Sequence, residues 1–163
     1  MPAHDPAEAL RARAQPIPLD APTREQFAAR MNGLASMQMM GARLDLADPA
    51  VVRIGLAEVG EQHLGGLGTR AINGAVIAGL FDLALGVAGT VQFGGQRAGT
   101  VELSIKLMRP AFEAPIEVLS VALKRSPHLA FTEAELYAEG RLCAVASGIV
   151  AVASSQPQGE TFW

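Results

Sequence analysis

The chain has 163 residues, of which 50% are hydrophobic and 18% are charged, and its formal net charge is −3. This length suits one ordinary domain with a sizeable core, and the composition excludes a wholly disordered chain. A negative net charge without a basic patch argues against a nucleic-acid partner.

The two ends of the chain are predicted to lie outside the folded domain. Residues 1–22 contain several prolines and lack an apolar stretch of signal-peptide length, which predicts a flexible lead-in and no secretion. The single cysteine, Cys143, cannot form an internal disulfide, so a cytoplasmic location is expected. The polar segment 154–163 is predicted to be a C-terminal tail, which leaves residues 23–153 as one domain.

The domain is predicted to begin with an amphipathic helix and two strands. Residues 23–34 offer a Thr N-cap and an acidic first turn, followed by apolar residues at helical spacing. Residues 37–46 and 50–59 have the pattern of two strands, and Asp48-Pro49 predicts a tight connection between them. We therefore expect a hairpin after the first helix.

The next element is a long apolar helix. A glycine-rich loop, in which His63 is predicted to be exposed, leads into "NGAVIAGLFDLALGVAG". Asn73 is a suitable N-cap, and residues 74–89 predict a helix of about 24 Å at 1.5 Å per residue. Its apolar surface indicates a central, buried position. A membrane span is not expected, because Asp82 at its centre would cost about 2.5 to 3.5 kcal/mol.

The remaining elements are predicted to be strands. In "GTVELSIKLM" apolar and polar residues alternate, which is typical of a half-buried strand. Three further strands, over roughly 116–125, 129–139 and 142–153, are separated by turns short enough for antiparallel hairpins. The order of elements predicts an α+β fold, in which one antiparallel sheet wraps around a long central helix with a short helix at its N-terminal side.

Asp82 is the one carboxylate of the central helix. Alternating steps of four and three place it on a stripe with small residues; the stripe consists of Ala75, Gly79, Asp82, Gly86 and Gly89. Burial without a cationic partner would raise the pKa of Asp82 and suit it to act as a base near neutral pH. The alternative is a structural carboxylate that bonds a backbone amide or an arginine such as Arg109.

Three stretches carry a family resemblance: "GTRAINGAVIAGLFDLALGVAG", "GTVELSIKLMRPA" and "EGRLCAVASGIVAV". Together they resemble the hotdog-fold acyl-CoA thioesterases, in particular the PaaI-like branch of the phenylacetate pathway, over roughly residues 36–153. Those enzymes typically have His-Gly-Gly at the start of the central helix and an acid about two turns later. The corresponding residues are Asn73, Gly74 and Ala75, and then Asp82.

The resemblance implies a homodimer with each site between two subunits, often doubled to a homotetramer. Asp82 would attack the thioester or activate water against it. The backbone N–H of Ala75, with Asn73 and Gly74 at the helix N-terminus, would polarise the thioester carbonyl. Thr100 matches a Ser/Thr position that helps to place the water or the carboxylate, although a plain β-forming role is equally compatible with its pattern.

The implied substrate is an acyl-CoA. CoA is part of the substrate, so no separate cofactor is expected, and the scattered histidines with one cysteine indicate no metal site. The candidate CoA-binding cations are Arg70, Arg109 and Arg125, with Arg97 and Lys124 as further candidates. Each of these cations is also compatible with a solvated surface charge.

The sequence departs from the family pattern at three positions: Asn73 replaces histidine, Ala75 replaces glycine, and Leu67 stands where an asparagine is often found. We expect an acyl-CoA thioesterase that releases a free acid and CoA. The departures favour one alternative, a non-catalytic acyl-CoA or fatty-acid binding protein. A hydratase or dehydratase is a further alternative, but it normally needs a histidine. Either an aliphatic or an aryl acyl group fits the small residues of the stripe.

Overall fold

The computed structural model describes residues 5–66 and 68–153. The helices in these ranges are α1 (Pro6–Arg11), α2 (Ala21–Asn32), α3 (Ala35–Met40) and α4 (Gly74–Thr90). The strands are β1 (Ala42–Asp45), β2 (Val52–Leu56), β3 (Leu64–Gly66), β4 (Thr69–Ile72), β5 (Ala98–Leu107), β6 (Ile116–Arg125), β7 (Leu129–Ala138) and β8 (Arg141–Val152). The predicted tail at 154–163 and Leu67 lie outside the described residues.

One antiparallel sheet forms the body of the molecule. Its six strands lie in the order β1-β2-β6-β7-β8-β5, and β3 and β4 pair separately as a two-stranded ribbon. Helix α4 packs against the concave face of the large sheet, in contact with β2, β5, β6, β7 and β8. The predicted α+β architecture, with one sheet wrapped around one long helix, is therefore confirmed.

Helix α4 forms where the sequence predicts it. The side chain of Asn73 accepts a hydrogen bond from the backbone N–H of Ala75 and so caps the first turn. Leu80, Phe81 and Leu85 are fully buried between the helix and the sheet. At Gly89 the helix comes so close to β8 that an added Cβ would overlap the Val150 side chain. The bulky face of α4 thus supplies the core, and glycine permits its closest approach to the sheet.

The first predicted strand is wrong over its N-terminal half. Residues 35–40 form helix α3, which ends at Gly41 with φ of +66°, and β1 begins only at Ala42. The pattern of "ASMQMM" does not distinguish a strand from a helix. Met is a good helix former, and only Met37 of these residues is fully buried, so the segment has no buried face that repeats every second residue. Strand β2, Val52–Leu56, is shorter than the predicted range of 50–59.

The predicted flexible lead-in differs from the structure over its described part. Asp5 caps α1 through the N–H of Ala7, and Leu10 is fully buried against Leu119 and Val121 on the outer face of the sheet. Arg11 also donates a 2.7 Å hydrogen bond to Asp48. Helix α1 is docked because a small apolar cluster, separate from the main core, is available on that face.

Strand β5 is an exposed edge of the large sheet. It pairs only with β8 in the described structure, and its predicted half-buried pattern is not seen, since Val101 and Leu107 are 65% and 58% exposed. Long apolar edge strands are normally covered or paired. This edge therefore leaves several apolar side chains of the described chain uncovered.

One helical stretch of the described residues, Gly74–Phe93, is long and apolar enough to span a membrane by length and composition. Its bulky residues lie against the sheet, and half of the stretch is buried. The apolar character of this helix is accounted for by its packing in the core of an α+β fold.

We expect Leu10→Ala to lower the free energy of unfolding by about 2 to 5 kcal/mol, the usual cost of truncating a fully buried leucine. Urea unfolding measured by circular dichroism tests this. Leu34→Ala is the matched control, because Leu34 is 43% exposed and its truncation should change stability by about 0.5 kcal/mol or less. Equal effects of the two substitutions would mean that α1 is not docked in solution.

Candidate functional site

The small-residue stripe of α4 faces away from the sheet. Ala75 and Asp82 are exposed, Gly79 and Gly86 are half-buried, and Gly89 alone is buried against β8. The Asp82 carboxylate is therefore not buried by its own chain. The charge of Asp82 is tolerated in an apolar helix because it lies on the one face that this chain does not cover.

Asp82 opens into a cleft of about 480 Å³ between α2, α4 and the start of β5. The lining residues are Phe27, Met31, Asp82, Leu83, Gly86, Val87, Thr90, Arg97, Ala98, Gly99 and Thr100. The structure thus brings Asp82 and Thr100 to the same cleft. Thr100 is held there by pairing with the buried Val150 of β8, and a Cβ at Gly86 would lie 3.2 Å from its Oγ1.

The Asp82 carboxylate makes no hydrogen bond or ion pair with any residue of the described chain. Arg109, considered above as a structural partner, is exposed, and its backbone N–H donates to the carbonyl of Cys143 at 3.0 Å. A structural role for Asp82 through Arg109 is therefore not seen. The carboxylate is available to a ligand at the mouth of the cleft.

At the N-terminus of α4, the capping side chain of Asn73 is hydrogen-bonded to the Ala75 N–H, the amide that is predicted to bind the substrate carbonyl. The Ala75 N–H donates to Asn73 Oδ1 at 2.8 Å, and the Asn73 N–H donates to the His63 carbonyl at 2.8 Å. Gly74 is exposed beside them. A substrate carbonyl would have to share or displace the Asn73 side chain in order to reach the Ala75 amide.

His63 is buried, with 3% exposure, and the prediction of an exposed loop histidine is wrong. Its Nδ1 accepts a hydrogen bond from the Gly60 N–H at 2.9 Å, so Nε2 carries the proton and donates to the Met40 carbonyl at 2.8 Å. The imidazole thereby joins the end of α3 to the loop that precedes α4. No local sequence pattern indicates this role, since Met40 is 23 residues away.

The predicted CoA-binding arginines lie at two ends of α4. Arg70 in β4 and Arg109 after β5 are exposed on segments that flank the helix N-terminus, where the Ile72 N–H bonds the Ala111 carbonyl. Arg125 instead donates to the Gln92 carbonyl at 3.0 Å, just beyond the helix C-terminus. One chain therefore groups Arg70 with Arg109 and leaves Arg125 at the opposite end.

A larger cleft of about 920 Å³ lies elsewhere, where α2 meets the edge formed by β1 and β2. It includes Arg24, Arg43 and Arg53 but none of the predicted site residues. Among the residues described, no three His, Cys, Asp or Glu side chains are grouped to hold a metal ion. The Asp82 cleft is smaller, and it joins an apolar wall to the carboxylate of a predicted site residue.

Residues 70–144 match the model of the thioesterase superfamily. The match begins in β4 and ends in β8, so it includes all of α4 and Thr100. No curated protein matches the sequence of this chain.

Solved structures share the fold of the chain at low sequence identity. A thioesterase from Haemophilus influenzae has a TM-score of 0.72 at 12% identity, covering 84% of this chain and 94% of that one. The E. coli PaaI protein of the phenylacetic acid degradation operon has 0.72 at 18%, covering 83% and 97%. A mutant of the phenylacetic acid degradation protein PaaI from Thermus thermophilus has 0.63 at 24%, covering 72% and 98%. The expected hotdog fold is confirmed.

We expect His63→Leu to lower the free energy of unfolding by about 2 to 4 kcal/mol, because the Gly60 N–H and the Met40 carbonyl would lose their buried partner. Urea unfolding at neutral pH measures the change. His128→Leu, at an exposed histidine of the β6–β7 turn, is the control and should stay within about 0.5 kcal/mol of the parent. If the His63 variant is as stable as this control, the hydrogen bonds of His63 with Gly60 and Met40 do not contribute to stability.

Proposed function

We propose that this chain, a hotdog-fold protein of the thioesterase superfamily, hydrolyses acyl-CoA thioesters to a free carboxylic acid and CoA. The observation that carries the proposal is the position of Asp82: an unpaired carboxylate that lines the same apolar cleft as Thr100, on a helix within the matched region. A carboxylate next to an apolar cavity is suited to activate water against an acyl group bound there.

The proposed site requires two copies of the chain. Asp82 and Ala75 are seven residues apart on one helix, which separates them by about 10.5 Å along its axis. The attacking group and the amide that receives the carbonyl oxygen must both lie within about 3 to 3.5 Å of a single thioester. Two antiparallel α4 helices related by a twofold axis near Ala78 and Gly79 would place Asp82 of one copy opposite Ala75 of the other.

The exposed surface of the chain supports this homodimer. Leu103 and Leu107 of β5 lie on the concave side of the sheet, paired with Gly148 and Ala144, and both are substantially exposed. They adjoin the outward stripe of α4, since a Cβ at Gly74 would lie 3.6 Å from the Leu107 side chain. Helix packing across the stripe and continued pairing at β5 would cover this surface. Doubling of the dimer to a homotetramer is part of the proposal.

In the proposed reaction, Asp82 accepts a proton from water as the water oxygen attacks the thioester carbonyl carbon. The carbonyl oxygen becomes an oxyanion, which accepts a hydrogen bond from the Ala75 N–H at the positive end of the α4 dipole. The Thr100 hydroxyl holds the water or the carboxylate in place. The C–S bond then breaks, the carboxylic acid is released, and the sulfur leaves as CoA after protonation. Direct attack by Asp82, followed by hydrolysis of the resulting anhydride, is the alternative route.

CoA enters as part of the substrate, and no further cofactor is proposed. Arg70 and Arg109 are proposed to meet its phosphates, because both are exposed on segments that flank the α4 N-terminus. Arg125 remains a candidate only at the other end of the helix, where it already holds the Gln92 carbonyl. A cytoplasmic location is proposed, in keeping with a free, buried Cys143.

A non-catalytic acyl-CoA or fatty-acid binding protein is the second candidate function. It is favoured by the hydrogen bond from the Ala75 N–H to Asn73, which occupies the proposed oxyanion donor. Such a protein would bind acyl-CoA saturably without releasing CoA.

We expect Asp82→Asn to lower kcat/KM by about 100-fold to 10,000-fold, the usual contribution of a general base, while acyl-CoA binding and oligomeric state are retained. The measurement is CoA release from short-chain, medium-chain and aryl acyl-CoAs, with affinity measured separately by calorimetry. Asp45→Asn is the matched control, because Asp45 is exposed on β1 away from the cleft.

The outcomes separate the two candidate functions. Loss of turnover with binding retained in Asp82→Asn supports hydrolysis by this carboxylate. Tight binding without turnover by the parent protein would establish the binding function instead. Full activity of Asp82→Asn would exclude Asp82 from the chemistry.

A further inference from the structure

The outer face of strand β5 carries one charge of each sign, with a serine midway between them. Glu102, Ser104 and Lys106 lie on the face away from α4, in register with outer-face residues of β8. All three are exposed. Within the residues that the structure describes, Glu102 and Lys106 take part in no ion pair. This edge strand therefore offers two charges of opposite sign, four residues apart, to whatever pairs with it.

Symmetry restricts how two identical β5 strands can pair. A twofold axis perpendicular to the sheet keeps each face of the sheet on its own side. Residues that stand directly opposite each other in an antiparallel pair share a face, and a slip of one residue would exchange the faces. The axis must therefore pass through one residue of β5, which then stands opposite its own copy.

Two close approaches fix the position of β5 along α4. A Cβ at Gly74 would lie 3.6 Å from the Leu107 side chain, and a Cβ at Gly86 would lie 3.2 Å from Thr100 Oγ1. The start of α4 thus lies beside the end of β5, and a later turn of α4 lies beside the start of β5. The helix and the strand run side by side in opposite directions.

The twofold axis proposed above can therefore be placed on β5. It crosses α4 near Ala78 and Gly79, about three-eighths of the way from the first close approach to the second. The same fraction of the distance along β5 falls at Ser104 or Ile105. These two residues are the candidates for the position that stands opposite its own copy.

The charges of β5 distinguish the two candidates. With the axis at Ser104, Glu102 of each copy stands opposite Lys106 of the partner subunit, and two ion pairs form on the outer face. The same register places Leu103 opposite Ile105 of the partner subunit on the concave side. With the axis at Ile105, Lys106 instead stands opposite Ser104 of the partner subunit. Cross-strand pairs of opposite charge stabilise an antiparallel pair, so the register centred on Ser104 is favoured.

We infer that a second copy binds the β5 edge in the register centred on Ser104, and that Glu102 and Lys106 of the partner subunit set this register. The inference rests on the proposed function for its two-copy site. Moving the axis by one residue would slide one copy along the other by two residues, about 6.6 to 6.8 Å. The slide would separate Asp82 from Ala75 of the partner subunit by more than a single thioester spans. Glu102 and Lys106 are therefore positioning residues.

The first experiment tests the ion pairs with Glu102→Lys and Lys106→Glu at low ionic strength. Either variant alone opposes like charges at both pairs, so its dimer should be about tenfold weaker than that of the parent. Mixing the two variants restores both pairs, because one copy then has lysine and the other has glutamate at both positions. Native mass spectrometry should find about nine-tenths heterodimer, against about half for two differently tagged parent chains.

Glu58→Lys mixed with Arg43→Glu is the matched control. These exposed residues lie on the loop after β2 and on β1, away from β5, so this mixture should give about half heterodimer. CoA release is measured on the same samples. At concentrations at which the single β5 variants dissociate, each should lose turnover, and mixing them should restore it. A substitution that only disturbs the fold of its own chain would not be rescued by mixing.

The second experiment tests the register by crosslinking. Directly opposed residues of an antiparallel pair have Cα atoms about 4.5 or 5.5 Å apart, which a disulfide can bridge. Ser104→Cys should therefore give a covalent dimer on non-reducing gels after mild oxidation. Glu102→Cys and Lys106→Cys lie on the same face but four residues from their own copies, and should stay monomeric on the gel. The native Cys143 is buried and does not compete.

Circular dichroism checks that each variant is folded. A disulfide in Ile105→Cys in place of Ser104→Cys would overturn the inference and leave the proposed hydrolysis standing. About half heterodimer from Glu102→Lys with Lys106→Glu would also overturn it. A parent protein that stays monomeric would contradict both the inference and the two-copy site. Selective heterodimers, with no CoA release by the parent, would support the inference and contradict the hydrolysis.

Discussion

The two faces of helix α4 are the constraint on which the rest of the structure depends. One face carries Leu80, Phe81 and Leu85, which are fully buried against the sheet. The opposite face carries alanine, glycine and Asp82, and it stays partly exposed. A helix that stabilises the core on one side can therefore present a thin surface on the other, to which a ligand or a second backbone can come close. The charge of Asp82 is compatible with folding because it lies on this second face.

The same helix divides the proposed chemistry between two molecules. The axial rise of a helix keeps Asp82 and Ala75 about 10.5 Å apart, however the surrounding loops are arranged. The uncovered β5 edge and the outward stripe adjoin each other through Leu107 and Gly74. The surface that would bind a second copy, formed by the β5 edge and the α4 stripe, thus lies next to Asp82 and Ala75, the two groups that need a second copy to act together. Assembly would also exclude bulk water from a thioester bound between the copies.

The local sequence pattern correctly predicted the elements that pack on the main hydrophobic core. Helix α4 and strands β7 and β8 each turn one face to the main core, whereas β6 turns one face to the main core and the other to the cluster that contains Leu119 and Val121. Helices α1 and α3 were missed because they are short, and because α1 packs on a separate cluster that includes Leu10 and Leu119. The burial of His63 was missed because it depends on contact with Met40, far along the chain. For the site, spacing identified Asp82 and its stripe, but the exposure of Asp82 follows from which face of α4 the sheet covers.

The cap on α4 bears directly on the choice between hydrolysis and binding. An N-cap hydrogen bond such as that between Asn73 and the Ala75 N–H stabilises a helix by about 1 kcal/mol. A neutral carbonyl gains about as much from the same amide, so it has little advantage over Asn73. An oxyanion gains about 2.7 to 4 kcal/mol from one such donor. The Ala75 N–H would therefore exchange Asn73 for the substrate oxygen mainly in the transition state. Catalysis requires this stronger binding of the transition state than of the bound substrate. Breaking the cap would slow the reaction about fivefold relative to an uncapped amide, since about 1 kcal/mol is added to the barrier. Asn73, at the position of the histidine in the thioesterases that the sequence resembles, is thus compatible with a slower thioesterase as well as with a binding protein.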